Sequence, residues 1–127
     1  MKDKILFLEL KTGFEDNGPA WIGKVKFSKT GLTVYFNNKG FIKARGIKGN
    51  YIDIESGEEY WISGIKKNGN DPHWAGTVKI QIDRKVVNDY LKITGKTDLD
   101  FKKFELTDIS DSFPIERINN LQNRKIE

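Results

Sequence analysis

From Ile5 to Asp83 the chain is a succession of short stretches in which apolar and polar residues alternate, each soon stopped by glycine, asparagine or aspartate. A period of two puts successive side chains on opposite faces of a strand, so this pattern commits most of the chain to β-structure with one face toward a core. In Trp21–Ser28 the residues Trp21, Val25 and Phe27 share the inward face, and Ile22, Lys24, Lys26 and Ser28 the outward one. Gly23 holds an inward position, where a bend or bulge is expected. Leu32–Asn37 turns Leu32, Val34 and Phe36 inward, and Thr33 and Tyr35 outward. Asn37-Asn38-Lys39-Gly40 then reads as a hairpin turn, because Asn and Gly tolerate the left-handed backbone that a tight turn demands. Ile5–Lys11 has apolar residues on both faces, the mark of a central strand.

Phe41–Arg45, Tyr51–Glu55, Glu59–Gly64 and Trp74–Asp83 complete about seven strands. Short strands at near-regular spacing predict an antiparallel sheet, closed or nearly so. The fold class is therefore mainly β, a small antiparallel barrel-like domain of SH3 or OB type, since a sandwich typically needs ~100 residues. At Asp83 the period changes to that of a helix. Asp83 is a suitable N-cap, Val86, Val87, Tyr90 and Leu91 form an apolar stripe, and Gly95 is a suitable stop. This capping helix, over Arg84–Thr94, closes a unit spanning residues 1–95. Residues 96–127 read as an appendage: Asp98–Thr107 as a further edge strand, then a short helix from about Pro114 carrying Ile115, Ile118 and Leu121.

The 127 residues contain no cysteine and one histidine, which excludes a disulfide scaffold, a thiolate zinc site and a cysteine nucleophile. Asp53, Glu55, Glu58 and Glu59 lack the spacing of a calcium loop and read as the flanks of a hairpin, so no metal is expected. No phosphate-cradling or dinucleotide motif is present, and no cofactor is expected. Ile5–Leu8 is too short for a signal h-region and no stretch approaches the ~20 apolar residues of a membrane span, which sets a soluble, cytoplasmic protein as the expectation. The net charge of +4 is uneven: residues 1–50 carry ten Lys/Arg against four Asp/Glu, whereas the rest is slightly acidic. Such an imbalance favours phosphate or acidic partners, although solvated strand faces would produce it equally well.

One stretch gathers the unusual residues. Glu59–Gly76 holds Trp61 and Trp74, His73, the pair Lys66-Lys67 and the turn-forming Asn68-Gly69-Asn70-Asp71-Pro72. With Gly49–Gly57 before it, this segment resembles a group of small bacterial proteins, of unestablished activity, that share a YWISG-x-KKNG-x-D-x-HWAG-like run. The resemblance covers roughly Ile5 to Leu91 and implies neither an activity nor a site residue.

Chemistry narrows the use of this stretch. Ser63, Asp71 and His73 are residue types of a hydrolytic set, yet no nucleophile elbow surrounds Ser63 and Asp71 precedes a turn proline, so a small hydrolase using Ser63 and His73 is a remote alternative. Small barrels bind single strands by combining cations for phosphates with rings for bases. Trp61, Lys66, Lys67, His73 and Trp74 would form such a recognition loop, continued by Lys24, Lys26, Tyr35, Lys43 and Arg45. Arginine, the better residue for bidentate contacts, is scarce beside lysine, and the tryptophans could equally be core. The expectation is a non-enzymatic binding module for RNA or single-stranded DNA, with a protein-interaction module using the barrel groove or a sheet edge as the alternative. The oligomeric state is open.

Overall fold

A computed structural model gives the structure of the protein over residues 4–11, 18–45, 48–67 and 79–126. Its described strands are β1 (Lys4–Leu10), β2 (Ala20–Phe27), β3 (Thr33–Phe36), β4 (Lys39–Lys43), β5 (Tyr51–Asp53), β6 (Glu59–Gly64), β7 (Ile80–Asp83) and β8 (Phe104–Thr107). Two helices, α1 (Val87–Thr94) and α2 (Ile115–Ile126), accompany them.

Strands β1 to β6 form a meander in which each pairs antiparallel with the next, and β6 returns to pair with β1. An even number of strands lets the ring close with every pair antiparallel, and closure leaves the ring no free edge. The barrel-like class is therefore as expected, whereas an OB-fold is a five-stranded Greek key. Two-residue turns help to set the register. Asn37 and Asn38 both have positive φ, 49° and 62°, which suits the twist of the β3–β4 hairpin, where Phe36 faces Lys39.

Inside the ring, Leu8, Val25, Val34, Phe36, Phe41, Tyr60 and Ile62 form a buried cluster. Of these, Val25, Val34 and Phe36 lie on the inward face that the alternation marked. Trp21 stacks on Tyr60 with ring centroids 6.1 Å apart, and Phe41 meets Tyr60 edge to face at 4.6 Å. Burial, with the charges of Asp53 and Glu58 nearby, pushes the Tyr60 hydroxyl up to about 12.

The seventh strand departs from expectation. Rather than extending the antiparallel barrel, β7 lies parallel to β2, with Ile22 opposite Ile82, and β8 lies parallel to β7. Parallel neighbours need a crossover of a dozen or more residues, and α1 lies within the one that joins β7 to β8. Asp83 caps it as expected, its carboxylate accepting from Lys85 N at 3.1 Å, but the first turn, Arg84–Val86, is a 3-10 turn; Gly95 ends the helix at φ +70°. The remaining part of the expected strand, Trp74–Val78, lies outside the described residues.

This crossover changes the outside of the barrel. Phe7 and Ile22 point away from the interior yet are fully buried, because Ile82, Val86, Tyr90 and Phe104 pack over them. Ile22, expected to face solvent, instead belongs to a second core. A third cluster lies across the barrel, where α2 rests on β3 and β4. Ile118 is fully buried with Tyr35 and Ile54. Its contact with β4 is so close that a Cβ on Gly40 would sit 2.6 Å from Ile118 Cγ1. Arg117 fastens the same helix, donating to both carboxylate oxygens of Glu55 at 2.8 and 3.1 Å and to the carbonyl of Asn38 at 2.7 Å.

Two outcomes follow from this packing. Gly40→Ala forces α2 outward and should cost on the order of 1–3 kcal/mol in urea unfolding, as overpacking does. In an Ile118→Ala background the same change should cost much less, and equal costs in the two backgrounds would refute the close contact. Tyr60, whose folded pKa lies above its unfolded value, retains its proton to higher pH when folded. Its stabilising contribution is thus whole below about pH 10 and lost as pH rises toward 12. Ultraviolet titration should show a phenol ionising near pH 12 that Tyr60→Phe removes.

Candidate functional site

The outward residues of β1 and β6 are brought side by side by barrel closure, with Phe7 opposite Ser63 and Glu9 opposite Trp61. One more backbone bond, Lys11 N to Glu59 O at 2.9 Å, carries the pairing past the end of β1 and holds Lys11 over the same face. A third wall comes from the chain entering β5. Lys48 N and Gly49 N both donate to Glu59 Oε1 at 2.9 Å, and Asn50 uses its amide to replace a strand residue, accepting from Ile62 N and donating to Ile62 O at 2.8 Å each. Gly49 is required there, since a Cβ would lie 2.5 Å from the Tyr60 carbonyl oxygen.

These three segments enclose a recess of about 340 Å³ bordered by Glu9, Lys11, Lys48, Trp61, Ser63 and Lys66. Its base is Glu9, a carboxylate only 2% exposed that accepts from Lys11 Nζ at 2.9 Å. Buried charge is expensive unless paired, so Glu9 holds a cation close to the surface. The other nearby carboxylate, Glu59, accepts from the two backbone amides just described. Lys11, Lys48 and Lys66 bring three lysine side chains to the border of the recess. Trp61 stands 39% exposed beside them, one of the few large hydrophobic side chains left in solvent among the described residues. Ring, cations and concavity together can hold a flat group and an anion joined to it.

Of the expected recognition residues, Trp61 and Lys66 are brought together at this recess, and Lys67 follows them, exposed. His73, Trp74 and Asp71 lie outside the described residues, so the Ser63–His73 set has only its serine in view, half-buried on β6. Lys24 is exposed on the outer face of β2, opposite Ile5. Lys43 and Arg45 are exposed at and beyond the end of β4. Lys26 and Tyr35 face each other across β2 and β3, on a different side of the barrel. Tyr35 is 1% exposed because α2 covers it, so it offers no stacking face. Asp53 is likewise no solvent-facing acid. It is buried, and its carboxylate accepts from Glu55 N and Ser56 N to form the β5–β6 turn.

Glu9, Lys11 and Lys48 were not singled out from the sequence. The one available signal was an acid in the middle of a strand apolar on both faces. Among the described residues no three potential metal ligands group together, and no helix is long and apolar enough to cross a membrane. No protein-family model matches this chain, and neither a curated protein nor a solved structure matches it.

The exposure of Trp61 is directly measurable. Iodide should quench a smaller share of the tryptophan emission in Trp61→Phe than in the parent protein, because Trp21 is sheltered against Tyr60. An unchanged quenchable share would place the Trp61 ring inside.

Proposed function

We propose that this protein is a non-enzymatic, cytoplasmic binding module that takes single-stranded nucleic acid across the β1–β6 face. The observation supporting this most directly is the exposed ring of Trp61 beside a recess edged by Lys11, Lys48 and Lys66. A base stacks on the indole, and the flanking phosphates meet the lysines, with Lys67 next along the chain. Such binding tolerates any sequence, since every base offers a π-face and lysine acts as a point charge. Glu9 contributes indirectly by keeping Lys11 at the rim.

The test is a titration with fluorescent oligo(dT) and oligo(U) at two salt concentrations. Affinity should fall steeply with salt, with a slope of about −0.7 for each phosphate neutralised. Lys66→Ala with Lys67→Ala should flatten that slope, and Trp61→Ala should cost about 1–3 kcal/mol while leaving the slope in place. Salt-independent binding, or Trp61→Ala binding as well as the parent, would overturn the reading.

A further inference from the structure

A second concavity lies on the far side of the barrel, independent of the recess at Trp61. It is an open trough of about 850 Å³ running between the β2–β3 hairpin, the outer face of β4 and one flank of α2. Three large hydrophobic side chains meet there from three separate elements: Leu32 (59% exposed), Ile42 (36%) and Ile115 (38%). Isolated surface hydrophobics need no explanation, but half of the large exposed ones among the described residues converge on this one trough.

Charge at the trough has one sign. Its charged lining residues are Lys26 and Lys29, and neither has an acidic partner among the described residues. Lys26 is half-buried and lies opposite Tyr35 on the neighbouring strand, so its stem borders the trough. The α2 flank adds no charge, contributing the amides Asn119 and Gln122 beside Ile115. Elsewhere half-buried cations have acidic partners: Lys11 has Glu9, and Lys39 has Asp53 at 3.9 Å.

We infer that this trough docks an acidic, amphipathic peptide segment of a partner protein. Its apolar side chains fill the space between Leu32, Ile42 and Ile115, and its carboxylates reach Lys26 and Lys29. The trough is open along its length and its hydrophobics come from separate elements, which suits an extended or helical segment laid in from solvent. A helix placed there presents anchors at i, i+3 or i+4 and i+7, with acids on the flank facing the hairpin. Docking on this side leaves the β1–β6 face free.

The experiment selects a random 12-residue peptide display library on the full-length chain, then titrates the enriched peptides by fluorescence anisotropy. Enriched sequences should carry Asp or Glu around spaced aliphatic residues, and binding should weaken at high salt. Leu32→Asp and Ile115→Asp, both at exposed positions, should each weaken binding by about tenfold or more, as loss of an interface anchor does. Lys26→Glu with Lys29→Glu should do the same, and all these variants should melt like the parent and keep its oligo(dT) affinity. No enrichment, enrichment of basic peptides, or peptides that bind Leu32→Asp and Ile115→Asp undiminished would each overturn the inference. Oleate displacing the peptide from the parent, yet binding regardless of Lys26 and Lys29, would assign the trough to an amphiphile and overturn it too.

Discussion

Everything in this molecule hangs on β1 being paired along both edges. Its residues Lys4 to Glu9 face β2 on one side, and Leu6 to Leu10 face β6 on the other, so the first and last strands of the meander share one backbone seam. Without that seam the six strands would be an open sheet with two unpaired edges and a half-covered core. With it, Leu8 is enclosed in the barrel while Phe7, one residue earlier, is enclosed outside it. A strand buried on both faces tolerates few polar residues, which gives Glu9 its weight: it is the charged residue that this seam buries, and Lys11 compensates it.

Closure also decides which parts of the outside are available. Six strands make a ring with six outward faces, and the other described elements cover some of them. The crossover from β7 through α1 to β8 covers β1 and β2 near Phe7 and Ile22, and α2 covers β3 and β4 at Tyr35 and Gly40. Among the described residues, what stays open is the stretch of β6 and β1 around Trp61 and the shallow margin between α2 and the β2–β3 hairpin. Both open areas are concave because each is walled by a neighbouring element: the chain before β5 in one case, α2 in the other.

Local pattern was enough to read the strands, the asparagine turn, the Asp83 cap and the Gly95 stop, because each depends on residues within a few positions of one another. Parity also identified the face on which most strand residues sit, although Leu32, marked inward, precedes the start of β3 and is 59% exposed. It could not say whether that face would be covered. Ile22 and Tyr35 are outward by alternation and buried in fact, since the helices above them come from 60 to 80 residues further along the chain. The same limit hid the recess. Glu9, Lys48 and Trp61 are scattered in sequence and meet only through the β1–β6 register and the Asn50 clamp, which no short-range signal encodes. Parallel pairing of β7 was hidden likewise, because a four-residue alternating strand looks the same in either orientation.

The chain's basic residues take on a different meaning once they are placed on the barrel. Read as a line, Lys24, Lys26, Lys43, Arg45, Lys66 and Lys67 suggest one continuous track. On the barrel they are divided, because neighbouring outward positions on β2 fall to different environments: Lys24 lies opposite Ile5, on the β1 side, whereas Lys26 lies opposite Tyr35, toward α2. At physiological salt, charges more than about 8 Å apart through solvent act almost independently. A ligand on the Trp61 face therefore feels chiefly Lys11, Lys48, Lys66 and Lys67, and a ligand beside α2 feels Lys26 and Lys29. The excess of positive charge is better understood as two local patches on opposite sides of one ring than as a single field, so that substitutions in one should act on the other only weakly.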